Sequence, residues 1–212
     1  KRRGRPVIGW GLGAGGWDHP LKRAFLRSFD ALITYSETGA GTYVAAGIAP
    51  ERIFVAKNAV SPRPTRTDTP ERAETYGNDG PVLLSVGRLQ ARKRIDLLIE
   101  SCAALEDEFH PVLRIVGDGP ERAKLEAYAR ERYPRAVFTG ALYGEALETE
   151  FANADLFVLP GTGGLALQQA MANGLPVIAA EADGTQADLI RADNGRMIPP
   201  GDGAALTASI AE

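Results

Sequence analysis

Two rhythms of apolar residues alternate along most of this chain. Short unbroken runs, of the length of strands buried on both faces, are separated by stretches in which apolar residues recur every three or four positions. The alternation is most regular after Gly80, where VLLSV (82–86), VLRIV (112–116), AVFTG (136–140), LFVL (156–159), VIAA (177–180) and RMI (196–198) read as strands. Between the first two, Ile95, Leu98, Ile99, Cys102 and Leu105 mark one helical face. A second helix opens at Gly119-Pro120 and carries Leu125, Tyr128 and Ala129. Shorter ones are expected over 145–153 with Leu147 and Phe151 inward, from Leu165 to Asn173, and near 185–192. A last helix begins in GDGAALTASIAE (201–212). Strands separated by helical patterns of roughly 10–15 residues define βαβ units and a parallel sheet.

The first sixty residues carry the same alternation in shorter form. Strands are expected at 6–10, 31–35 and 52–56, with a helix from Pro20 to about Phe29 and another over 37–46. Ser36 is placed to cap that second helix and Gly47 to stop it. Three strands and two helices are too few for a complete open α/β domain, so this part reads as the tail of one. From 61 to 80, proline, threonine and charge replace the periodicity, as in a linker with a poorly specified helix. The expected map is therefore residues 1–61 as the end of one Rossmann-like domain, 62–80 as linker, and 81–212 as a parallel-sheet α/β domain whose final helix is cut short.

Composition narrows the classes. Hydrophobic content of 44% and charged content of 24% are those of a globular protein, and a net charge of −3 argues against nucleic acid as a partner. No run of 18 apolar residues is present and no signal peptide is evident. A single cysteine, Cys102, cannot form an internal disulfide, which fits a reducing, cytoplasmic setting. Within the first 27 residues Lys1, Arg2, Arg3, Arg5, Lys22, Arg23 and Arg27 face only Asp18. That basic segment is either a solvated face or a peripheral contact with the inner face of an anionic membrane. Opening without methionine and directly on a strand, the chain reads as a start inside a larger protein.

Ligands of an open parallel sheet bind beyond the carboxyl ends of its strands. The residues at those ends are Gly87-Arg88-Leu89 and then Lys93, Gly117-Asp118-Gly119, Ala141-Leu142-Tyr143, the turn Pro160 to Gly164, and Glu181 to Thr185. The turn contains Gly161, Gly163 and Gly164 and leads straight into a helix, whose first N–H groups lack intrahelical acceptors and suit an anion. Alone it is an ordinary glycine-rich β–α turn, and Arg88 and Lys93 alone are solvated cations. Two cations and two glycine turns on one rim point to a diphosphate, which guanidinium binds bidentately and ammonium as a point charge.

SVGRLQARKRIDLLIES (85–101), RIVGDGPER (114–122), FTGAL (138–142) and LPGTGGLALQQAMANGLPVI (159–178) together resemble glycosyltransferase family 4, of the GT-B fold. The resemblance covers 81–202 and reaches loosely back to Ser36, through ITYSETGA and IFVAKNAV. It implies a retaining transferase that moves a sugar from a nucleotide-diphosphate donor to a glycan, lipid-linked or small-molecule acceptor, with no cofactor or metal ion. The donor is clamped between two Rossmann-like halves. In that family's terms, Arg88 and Lys93 are the catalytic pair on the donor diphosphate. Backbone N–H groups of Gly164, Leu165 and Ala166 hold phosphate and sugar, and the Leu142 backbone reads the base. No D-x-D triplet or metal-spaced cluster contradicts this.

Two departures stand out. Many family members carry a Glu, seven residues, and a second Glu at the positions of Gly161 and Gln169. Gln169 can still hydrogen-bond a ribose hydroxyl, whereas Gly161 offers the sugar no side chain. The family's early glycine loop and catalytic-site histidine also have no counterpart: GLGAGGWDHP (11–20) lies too late, and His19 reads as either ligand-facing or plain surface. The competing functions are another GT-B enzyme, such as a glycosyl phosphorylase or nucleotide-sugar epimerase, and an inactive nucleotide-sugar-binding homologue.

Overall fold

The computed structural model describes residues 4–15, 19–59 and 80–212. The expected linker and the first three basic residues lie outside the described residues. The strands in chain order are β1 (Ile8–Trp10), β2 (Ala31–Thr34), β3 (Ile53–Val55), β4 (Val82–Val86), β5 (Val112–Val116), β6 (Val137–Gly140), β7 (Leu156–Leu159), β8 (Val177–Ala180) and β9 (Gly195–Ile198). The helices are α1 (Pro20–Arg27), α2 (Glu37–Ala45), α3 (Ile95–Ala104), α4 (Glu106–Phe109), α5 (Arg122–Arg132), α6 (Glu145–Ala152), α7 (Leu165–Ala172), α8 (Thr185–Leu189) and α9 (Gly203–Ala211).

Contacts divide the chain into two compact units. One is the described chain up to Ala59 together with Asp183–Leu189; the other is Gly80–Ala182 with Ile190–Glu212. In the first, a parallel sheet of order β1-β2-β3 packs one face on Leu26, Tyr43 and Ile48. Pro20 opens α1 after His19, whose Nδ1 accepts the Leu21 N–H at 3.2 Å. Ser36 caps α2 as expected, its Oγ accepting the Gly39 N–H at 2.9 Å. The α2 N-terminus also offers the Glu37 N–H to Asp188 of α8 at 2.8 Å, which ties residues 183–189 into this unit. The other face of the sheet is apolar and open: Trp10 pairs with Ile33 and Ile33 with Phe54 across the strands, and Trp10 and Phe54 are 62% and 55% exposed.

The second unit holds six parallel strands in the order β6-β5-β4-β7-β8-β9. Its central strands carry the unbroken apolar runs because both faces are covered. Leu83, Leu84, Leu113, Ile115, Phe157 and Val158 are fully buried. Helix α3 packs against α5 and α9, and the Thr207 hydroxyl of α9 donates to Ser101 of α3 at 2.9 Å. Cys102 lies at the centre of this layer with no exposed surface. Two helices differ from expectation. The periodicity ending at Leu105 continues as α4, which stops at His110 in the left-handed conformation, before Pro111. Helix α8 ends at Leu189 rather than near 192 because a turn follows, in which the Arg191 N–H donates to Asn194 Oδ1 at 2.8 Å.

Candidate functional site

From β4 the chain moves outward to β5 and β6, then returns to the other side of β4 for β7, β8 and β9. The strand order therefore reverses beside β4, and the crevice beyond such a reversal is where open α/β sheets bind ligands. Two loops flank it: residues 87–94 after β4 and residues 160–164 after β7.

Those loops are locked together. The Thr162 N–H donates to the Arg92 carbonyl at 3.0 Å, and Arg92 Nη1 donates to Thr162 Oγ1 at 2.9 Å. Gly161 is buried beneath them, so close that a Cβ there would meet Arg92 O at 2.2 Å and the Lys93 carbonyl carbon at 2.6 Å. Beside it the half-buried Lys93 extends its ammonium between the two glycine turns. A Cβ on Gly163 would lie 2.3 Å from Nζ, and one on Gly87 3.6 Å away. Arg88 is exposed and makes no hydrogen bond or ion pair with the described residues. Helix α7 follows the 160–164 turn directly and has no side-chain cap at Gly164, so its first N–H groups, those of Leu165 and Ala166, lack intrahelical acceptors.

Next to the cations, a mostly apolar cavity of about 500 Å³ opens over β4, β5 and β6, with Gly87, Arg88, Gly117, Leu142, Tyr143 and Leu147 in its walls. That is the size of a pocket for a nucleotide-sized ligand. Gly117 is required here: its φ is +144°, and a Cβ would fall 1.9 Å from the Gly87 carbonyl oxygen. The one carboxylate in the wall, Asp118, accepts from the Gly119 N–H at 2.6 Å and from Arg122 at 3.0 Å, which hold it below the usual carboxylate range. One turn into α7, Gln169 donates its amide Nε2 to Glu148 Oε1 of α6 at 3.2 Å.

Of the residues singled out in the sequence, Gly87, Lys93 and Gly163 meet at the reversal, Gly164, Leu165 and Ala166 follow directly at the start of α7, and Gly117 and Leu142 join Gly87 and Arg88 around the cavity. Gly161 lies under the loops rather than on the crevice, and Gln169 is engaged with Glu148. Asp183 to Thr185, expected on this rim, group with the first unit instead, drawn there by the Asp188 contact and by Gly184, whose Cβ position is occupied by Thr38. Two participants were missed. The Arg92–Thr162 clamp joins loops 70 residues apart, a contact no local pattern announces. Glu148 follows Leu147 on an acidic helix start and looks like a solvated residue. No group of three or more His, Cys, Asp or Glu suited to a metal occurs among the described residues.

A doubly wound parallel sheet with a glycine-lined crevice at its reversal defines an α/β protein of the Rossmann type. Residues 80–212 match the family described as Glycosyl transferases group 1, and the chain belongs to that family. It is 40% identical over 148 residues to a GDP-mannose-dependent alpha-mannosyltransferase of Mycolicibacterium smegmatis, an alignment covering 65% of this chain and 37% of that one. Among solved structures it resembles the apo form of the lipopolysaccharide outer core galactosyltransferase WaaB, with a TM-score of 0.78 at 24% identity over 97% of this chain and 58% of the other. It also resembles Anabaena HepE in complex with UDP, with a TM-score of 0.71 at 20% identity over 98% and 62%. The fold is thus GT-B, and the chain spans less than two thirds of the length of each of these proteins.

Proposed function

We propose that this chain carries the donor side of a retaining, metal-independent glycosyltransferase. It would transfer a hexosyl group from a nucleoside diphosphate sugar to a hydroxyl of a glycan, lipid-linked or small-molecule acceptor. The observation that carries the reading is the Lys93 ammonium set between Gly87 and Gly163, with the unpaired Arg88 and the uncapped start of α7 on the same crevice. Breaking the C1–O bond of the donor leaves the electron pair on a diphosphate oxygen. Two fixed cations and a helix N-terminus stabilise that charge as it develops, without a metal ion. The sugar carbon, with oxocarbenium character, then bonds the acceptor oxygen, whose proton passes to the departing diphosphate oxygen. GDP-mannose is the first donor to test, because the name of the 40% identical relative specifies it; UDP-glucose is the comparison.

Melting curves with GDP, UDP and EDTA test the reading directly. A diphosphate at 100 times its dissociation constant should add about 2.7 kcal/mol, a shift of several degrees, and EDTA should leave it unchanged. Arg88→Ala should weaken that binding by roughly ten- to hundredfold, the worth of a charge-assisted hydrogen bond. Undiminished binding and turnover in Arg88→Ala would remove the assignment. The buried Gly161, with no room for a carboxylate, favours a second reading as a silent nucleotide-sugar binder. Binding without transfer by the longest chain that contains this sequence would select it.

An anionic lipid surface is the further partner we propose. Leu21 and Phe25 are 75% and 62% exposed, one turn apart on α1, and Lys22, Arg23 and Arg27 flank them. Binding to vesicles containing a third phosphatidylglycerol, lost in neutral vesicles and at high salt, is the expected outcome. Equal retention in neutral vesicles would count against it.

A further inference from the structure

Gln169 stands where many family members carry a carboxylate, yet a carboxylate is present at the same place from another element. Gln169 donates Nε2 to Glu148 Oε1 at 3.2 Å, and a carboxylate can only accept, so the amide must turn its nitrogen toward α6. This leaves Gln169 Oε1 and the remaining lone pairs of Glu148 as acceptors to which no other described side chain donates. Neither side chain has another side-chain partner among the described residues. Glu148 lies in the first turn of α6 and makes no ion pair with the described residues.

The position of this cluster identifies its ligand. Leu147, the residue before Glu148, lines the 500 Å³ cavity where the base would sit. Gln169 lies one turn inside α7, whose uncapped N-terminus would receive the diphosphate in that reading. The pair therefore bridges the helix that walls the base cavity and the helix that receives the phosphates. In a nucleoside diphosphate the group between base and phosphates is the ribose, whose 2′- and 3′-hydroxyls are two adjacent donors. Building on the donor-site reading above, we propose that Glu148, held by Gln169, is the residue that binds the ribose diol of the nucleotide. Its carboxylate reaches the site from α6 in place of one on α7.

The test compares ligands that differ only in those hydroxyls. The affinity of the full 212-residue chain is measured for GDP and UDP, and then for the 2′,3′-dideoxy form of whichever binds tighter. Hydrogen bonds to a charged group should make the ribose form bind roughly ten- to hundredfold more tightly. Glu148→Ala should bring that ratio close to one while leaving the affinity for the dideoxy form nearly unchanged. Glu148→Gln, which keeps one acceptor but not the charge, should fall between. Circular dichroism and the melting temperature of each variant establish that it is folded, which Ala on a half-exposed helix position favours.

Three results would overturn the proposal. If Glu148→Ala weakens both ligands alike and keeps the ratio, Glu148 only braces α6 against α7. If the wild-type chain does not distinguish ribose from dideoxyribose, the diol is not held here, although the donor site stands. If neither GDP nor UDP binds, the donor-site reading itself fails and this assignment falls with it.

Discussion

At Gly161 the absence of a side chain is a packing requirement. A single methyl group there would press on the backbone of Arg92 and Lys93, which cannot rotate away as a side-chain end would. Gly161→Ala should therefore lower stability by about 1–3 kcal/mol, read as a fall in the urea midpoint. Gly161→Glu should cost no less, and an unchanged midpoint in both would show that the loops yield. Cys102 gives a second expectation. Complete burial pushes its thiol up to about 12, so the native chain should not react with a thiol reagent at pH 8 and should react stoichiometrically once unfolded. Site residues whose roles depend on what they lack were legible in advance: Gly87, Gly117 and Gly163 follow strands and open turns. The placement of Glu148 was not, because its partner is Gln169, 21 residues later on a different helix.

Between elements, one exposed network joins α3 to α5. Glu100 accepts from Arg132 through Nε and Nη2 at 2.9 Å each, and also from the Tyr128 hydroxyl. The Arg132 bonds first, and the Tyr128 bond second, lower the Glu100 carboxyl from 4.5 to about 2. A depressed carboxyl stabilises the fold above its unfolded value and loses that contribution as protons bind in the folded state. The contribution is therefore complete above about pH 5 and fades as pH falls toward 2. Solvent screening keeps it small, so the measurable result is a trend: the melting temperatures of wild type and Glu100→Gln should converge between pH 5 and pH 2. Most elements were legible because their signals are local, as with Pro20 and Ser36 at helix starts. Helix α8 was misjudged at its end because a side chain, Asn194, captures the Arg191 N–H and diverts the backbone.

For the whole molecule, strand existence was readable but strand order was not. Nothing local states that the chain leaves β6 to return beside β4, and that return alone makes the crevice. The apolar row Trp10, Ile33 and Phe54 is likewise a product of register, three residues far apart in sequence aligned across β1, β2 and β3. An open apolar face of this kind should bind a hydrophobic dye in the native state. Phe54→Thr should reduce that fluorescence by roughly half, while stability moves by no more than about 0.5 kcal/mol, as for other exposed positions.

The contact between Gly161 and the Arg92 carbonyl also restricts the routes by which this sequence can change. A carboxylate at 161 is not reached by one substitution without moving backbone, because the loop after β4 already fills the space its first carbon would need. Regaining it would require the 87–94 segment to retreat first, and that segment carries both Arg88 and Lys93. If the proposed donor reading holds, the intermediate would loosen its hold on the phosphates before gaining any on the sugar. Through that one contact the site behaves as a one-way step. Side chains added on α6 and α7 meet no such backbone contact, whereas the turn after β7 is closed to them.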